Sequence, residues 1–179
     1  MKRVLLAAFC VSAFASGFPD AGFALTPGFV PPNRGLEKAN VLPLALDDHF
    51  QFRKTKLFLN DPVTFVPTTD VSINFERARI NHKVVTNVDR VQRVGNYLTF
   101  FWRATKRADL TLRLEYQQAK LGNYVMAKEI DYPHFKGSHQ SDFAVLGDDY
   151  TAAGRILAWR VLLIEGGKIV ALSQSYLWD

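Results

Sequence analysis

Four histidines, His49, His82, His134 and His139, are the only imidazoles in the chain, and two of them share one short segment. Asp131-Tyr132-Pro133-His134-Phe135-Lys136-Gly137-Ser138-His139-Gln140-Ser141-Asp142 carries two imidazoles and two carboxylates. Those groups suit zinc and other divalent metals, and three ligands from one loop can converge on an ion. The spacing matches no established metal motif, and Lys136 places a repelling charge between the histidines. The segment therefore reads as a solvated turn between strands, with no metal and no cofactor expected. Asp47-Asp48-His49 and Gly147-Asp148-Asp149 are the other carboxylate clusters. Calcium needs six or more oxygen ligands from a defined loop. Neither cluster has that pattern, and Asx turns account for both.

Catalytic patterns are sparse. No Gly-x-Ser-x-Gly elbow, Ser-x-x-Lys pair or His-Glu-x-x-His motif occurs. Paired-carboxylate catalysis requires two acids facing each other across a cleft, and no pair is singled out. Cys10 is the single cysteine. A lipid-acceptor cysteine needs a small residue before it, and Phe9 occupies that place. If Cys10 leaves with a leader peptide, disulfides, thiol nucleophiles and Cys-ligated metals are excluded.

Aromatic residues remain as a binding resource. Trp102, Trp159 and Trp178 with six tyrosines offer faces that stack on sugars and polar tips that bind hydroxyls. Trp102 and Trp159 lie in apolar runs and read as core. Tyr132 and Tyr150 read as loop residues, so Tyr132, His134, His139 and Tyr150 are the candidate exposed contacts.

The amino terminus determines where such a protein works. Met1-Lys2-Arg3 is basic, and Val4 to Ala15 is an apolar run broken only by Ser12. That is signal-peptide architecture, too short for a bilayer span of about 20 residues. Cleavage after Ala24 fits best, with Ala15 and Gly17 as competing sites. The whole chain carries net charge +5, and loss of Lys2, Arg3 and Asp20 leaves it moderately basic. Export removes nucleic acid as a partner, and no arginine-rich run supports one. Arg77, Arg79, Arg90, Arg93, Arg103, Arg113 and Arg160 are scattered and read as a solvated sheet face.

Positioning elements follow from periodicity. Residues 25–46 hold Pro27, Pro31, Pro32 and Pro43 and read as an extended lead-in along the domain surface. Residues 47–179 then read as a single domain of strand after strand. Leu110 to Tyr116 alternates apolar and polar, as does Val71 to Glu76. Tyr97 to Trp102 is apolar on both faces and suits a central strand. Val84 to Thr86 and Asp89 to Val94 are weaker strand candidates, and Ser141 to Leu146 is a short one. Gly122-Asn123 joins a hairpin of Leu110–Tyr116 with Tyr124–Asp131. Glu165-Gly166-Gly167 joins Ile156–Ile164 to Lys168–Trp178. In that last arm Val170, Leu172, Gln174, Tyr176 and Trp178 share one face, and Ile169, Ala171, Ser173, Ser175 and Leu177 the other. The best helix candidate, Asp148 to Ala158, is interrupted by Gly154.

Tyr97-Leu98-Thr99-Phe100-Phe101-Trp102-Arg103, Gly147-Asp148-Asp149-Tyr150, Ala158-Trp159-Arg160-Val161 and Ser175-Tyr176-Leu177-Trp178 together resemble an immunoglobulin-like or fibronectin-type domain of exported bacterial proteins. The resemblance spans Tyr97 to Trp178. The Cys pair of true immunoglobulin domains is missing. It implies an all-β, immunoglobulin-like antiparallel β-sandwich of about seven to nine strands. Leu112, Leu114, Phe100, Trp102, Trp159 and Val161 are its expected core. The expected role is binding or structure at the cell envelope, periplasmic or extracellular, with a protein or envelope component as partner. A carbohydrate-binding module is the alternative, and a small hydrolase using the loop His and Asp residues a further one.

Overall fold

A computed structural model describes residues 34–36, 40–63 and 66–178; the expected signal peptide lies outside them. The chain forms β1 (Arg34–Leu36), β2 (Phe50–Asn60), α1 (Val71–Ile80), α2 (Asn87–Gln92), β3 (Gly95–Gln118), β4 (Val125–Leu146), α3 (Gly147–Ala153), β5 (Ile156–Glu165) and β6 (Lys168–Gln174). The six strands make one antiparallel sheet in the order β1-β4-β3-β5-β6, with β2 also paired to β3.

Strand β3 organises everything. It runs for 24 residues, pairing with β4 along one edge. Its other edge pairs with β2 over Gly95–Ala104 and with β5 over Leu110–Gln118. Were it straight, Phe100 and Tyr116 would stand about 50 Å apart at the usual rise per residue. Yet Phe100 touches Trp159, the cross-strand partner of Tyr116, with ring centroids 5.3 Å apart. The sheet is therefore doubled back on itself. Register shifts between Ala104 and Leu110 mark the bend, as bulges do elsewhere. Ala104 and Ala108 face inward there and are buried. Their small side chains let the two layers converge at the fold.

The result is a β-sandwich-like, all-β architecture. The first layer is β2, the first half of β3 and the second half of β4. The second layer is β1, the first half of β4, the second half of β3, β5 and β6. Even-numbered residues of β3 point inward on both sides of the bend: Leu98, Phe100, Trp102, Leu110, Leu112, Leu114 and Tyr116 are all buried. They pack with Phe143, Val145, Trp159, Val161 and Leu163 into one core. All six residues expected in the core are there.

Other expectations need correction. Among the described residues six strands stand in place of the expected seven to nine, because Tyr97–Trp102 and Leu110–Tyr116 are one strand, as are Tyr124–Asp131 and Ser141–Leu146. A bulged bend, not a loop, connects them, so the segment from Asp131 to Asp142 is strand rather than turn. Val71–Glu76 is helical: the Asp70 carboxylate accepts from the N–H groups of Ser72 and Ile73 and nucleates α1. Residues 84–94 are not strands either. Thr86 and Asp89 form a reciprocal capping box that starts α2. These local caps prevail over a short period-2 pattern. Gly147-Asp148-Asp149 opens α3, with both acids in its first turn.

Both hairpins form. Gly166 and Gly167 take φ of 55° and 76° between the paired Glu165 and Lys168, the conformation a two-residue turn demands. The second arm, however, does not alternate as expected. A register shift leaves Val170 as an extra residue, so Val170 and Ala171 are both buried. Strand β6 ends at Gln174, and Ser175–Trp178 turns back over β5, the Ser175 N–H donating to Trp159 O. Part of the proline-rich lead-in joins the sheet: β1 pairs with β4, and Leu44 bridges Ile169.

Candidate functional site

Strand β2 was not anticipated, although FQFRKTKLFLN carries the signal. Phe50 and Phe52 alternate, the phase slips at Arg53, and Thr55, Leu57 and Leu59 alternate again. The slip is a bulge: Phe52 pairs with Trp102 and Lys54 with Phe101. It sends Lys54 and Lys56 to the outer face of the first layer while Leu57, opposite Leu98, faces inward. Among the described residues β2 has β3 as its single strand partner. Among the described residues no strand pairs with its other edge. Leu57 points inward yet is 56% exposed, although β6 of the second layer lies against part of β2.

Beside the bulge the outer face holds a concavity of about 540 Å³, lined by Arg53, Phe101, Ser138, His139, Gln140 and Asp142. Asp142 accepts from Thr99 Oγ1 at 2.5 Å and from the Gln140 amide at 3.1 and 3.3 Å. A second concavity of about 470 Å³ continues from Gln140 and Thr99 toward Phe75, Glu76 and Arg79 of α1. Lys56 stands at its rim, 3.7 Å from the Glu76 carboxylate and 5.7 Å from the centre of the Phe101 ring.

Behind this face four rings interlock. Trp102, Tyr132, Phe135 and His139 touch in every pairing, with centroids 4.8 to 6.0 Å apart. The buried Ser141 hydroxyl joins them, accepting from Trp102 Nε1 at 2.8 Å and sharing a hydrogen bond with the Tyr132 hydroxyl at 2.7 Å. Burial lowers the His139 pKa below its ordinary value, opposed by the Asp142 charge. Burial also raises that of Tyr132.

The anticipated contacts therefore separate. Tyr132 and His139 meet in the ring cluster, half-buried on β4 rather than exposed in a loop. His134 lies at the bend with φ of 50°, a region histidine enters more readily than most residues. The Asp109 carboxylate accepts from its backbone N–H at 2.7 Å and contacts its Nδ1 at 3.0 Å. Tyr150 sits on α3, half-buried, its hydroxyl donating to Asp61 at 3.0 Å; burial first, then Asp61, raises its pKa. Asp131 bonds Thr111 on the outer face of the second layer. No three His, Cys, Asp or Glu side chains converge on a metal-sized space among the described residues. All three tryptophans are buried, and the exposed aromatic rings include Tyr124 and Tyr176 instead.

A second polar array crosses the outer face of the second layer. Arg34 bonds Glu129 at 3.0 Å, Arg113 bonds Glu129 at 2.7 Å and approaches Glu115 at 3.7 Å, and Arg160 bonds Glu115 at 2.6 Å. Arg160 also lies 4.9 Å from the Trp178 ring centre. Arg113 donates further to Asn40 O. Arg113, expected in solvent, is only 8% exposed, and Glu115 and Glu129 are buried too. Strand register explains this, because Arg34 and Arg113 both face Glu129 and Glu115 faces Arg160.

No protein-family model matches the chain, and no curated protein matches it. The chain is similar to a crystal structure from Akkermansia muciniphila at 10% identity and a TM-score of 0.43, covering 83% of this chain and 74% of that one. Among the described residues no helix is long and apolar enough to cross a membrane.

Proposed function

We propose that the chain is an exported protein acting by binding or structure at the cell envelope, without catalysis, after removal of residues 1–24. The observation carrying this reading is the open edge of β2. An exposed strand edge is a template onto which another chain adds a strand, its main-chain bonds giving affinity. Eleven residues are ample for such pairing. The immunoglobulin-like assignment is the finer reading of the fold. Two layers around a buried tryptophan and the inward alternation of even-numbered β3 residues support it, while the continuous β3 and β4 depart from separate-strand sandwiches.

A photo-crosslinking residue at Leu57, compared with one at exposed Thr151 on α3, tests the binding reading in the native envelope. A discrete adduct from the Leu57 position alone is expected. Equal labelling from both positions, or none, would count against it.

The carbohydrate-binding alternative draws on the concavity, where Phe101, Gln140 and Asp142 combine a ring with hydroxyl-binding groups. Titration with neutral oligosaccharides, read by shifts at Gln140 and Phe101, separates the two. The hydrolase alternative requires cooperation between His134 and His139, which have different partners on β4.

A further inference from the structure

We infer that the occupant of the β2 edge is an extended segment of another protein in which acidic and apolar residues alternate. This rests on the reading of β2 as the interaction edge and adds the chemistry of the partner. Three observations carry it.

First, β2 contains Arg53, Lys54 and Lys56 and no acidic residue. Among the described residues Arg53 and Lys54 form no ion pair, and Lys56 reaches only Glu76. Cross-strand opposite charges stabilise a sheet and like charges directly opposite destabilise it. An added strand with acids opposite Lys54 and Lys56 neutralises them.

Second, Leu57 faces inward at the open edge and remains more than half exposed. Side chains of an added strand alternate between faces with period two. Residues of the partner next to Thr55 and Leu57 must therefore be apolar, and those next to Lys54 and Lys56 acidic.

Third, the same charges disfavour a second copy of this chain. A two-fold axis at Thr55 would set Lys54 against Lys56 of the other copy, twice. Lysines and a bulge on an edge strand are known devices against self-association. Here they leave an oppositely charged strand as the complementary occupant.

The test uses the full mature chain and three synthetic peptides of about nine residues, enough to span most of the strand. One alternates Glu and Val, one alternates Lys and Val, and one is the Glu/Val peptide N-methylated at every residue. Backbone amide shifts locate binding and fluorescence anisotropy measures affinity. The Glu/Val peptide should perturb Gln51 to Asn60 and bind at least about tenfold more tightly than the Lys/Val peptide at low salt. The advantage should shrink toward about 1 M salt, where the Debye length falls to about 3 Å. The N-methylated peptide should not bind. Arg53→Glu combined with Lys54→Glu should reverse the preference. Its unfolding curve should match the parent's.

Equal binding of both charged peptides at β2 would overturn the acidic partner while leaving the edge reading intact. Binding of the N-methylated peptide, shifts elsewhere, or no binding by any peptide would overturn both. A dimer of the parent chain with amide shifts confined to β2 would replace the acidic partner with a second copy.

Discussion

On the outer face of the second layer, register sets Arg34 and Arg113 against Glu129 and Glu115 against Arg160. On the outer face of the first layer it sets Lys54 against Phe101 and Lys56 against Thr99. Both regions are strands bearing basic residues, yet in one Arg113 and both carboxylates are buried and every guanidinium is paired, while the other is open. In the first, alternating signs cross four strands, and each buried carboxylate has a guanidinium within 2.7 Å. In the second, the strand that would supply the opposite sign is missing from the described fold. A charge on a sheet is thus structural or available according to what its cross-strand neighbour carries, not according to its own type.

The largest test of that contrast is Arg113→Ala. It removes the one buried guanidinium between Glu115 and Glu129, which keep only the more exposed Arg160 and Arg34 as partners, for an expected cost of about 3 kcal/mol, the low end for breaking a buried ion pair. Lys54→Ala should change stability by no more than about 0.5 kcal/mol. Chemical denaturation of both variants measures the difference. Similar costs would mean that the charge ladder is not sealed.

Next comes a pair of leucines that face inward by the same parity. Leu112 is fully buried and Leu57 is 56% exposed. Leu112→Ala should lose about 2 to 5 kcal/mol through lost burial and a cavity, and Leu57→Ala less than about 1 kcal/mol. With an edge-bound peptide present, the Leu57 variant should lose affinity while the folded chain keeps its stability.

Ser141→Ala is smaller again. It removes the acceptor of the Trp102 indole N–H and the partner of the Tyr132 hydroxyl behind the concavity. Leaving buried polar groups unpaired costs about 1 to 3 kcal/mol. Tryptophan fluorescence should report the altered Trp102 environment in the folded state.

The smallest effect is a pH dependence. Burial holds the His139 pKa below the ordinary 6.5, so on acidification the unfolded chain takes up that proton before the folded chain does. Stability from this group is complete above the ordinary value and falls as pH drops toward the folded value. His139→Gln should flatten that part of the stability profile between about pH 7 and lower pH. An unchanged profile would place His139 in solvent rather than in the ring cluster.

Much of the fold was legible because it is local or periodic. The alternation from Leu110 to Tyr116 marked the buried face of β3, and Gly166-Gly167 marked its hairpin, since each pattern depends on the geometry of a few adjacent residues. The core residues followed for the same reason. The helices were missed where two-residue alternation from Val71 to Phe75 competed with the Asp70 cap, whose hydrogen bonds fix the first turn. Candidate contacts were hardest. Tyr132, His134 and His139 sit within eight positions of sequence, but a bend in β4 gives them different surroundings.

What the residues alone determined is which side chains want water and which do not, the alternation of strand faces, and the turns that only glycine adopts. Tertiary structure decided that β3 and β4 double over, that Arg113 is buried rather than solvated, and that Leu57 faces inward yet stays exposed. These depend on partners distant along the chain: Glu129 for Arg113, Trp159 for Phe100 and Leu98 for Leu57. Cross-strand neighbours set burial and charge balance, and register is fixed only when the whole sheet closes on its core.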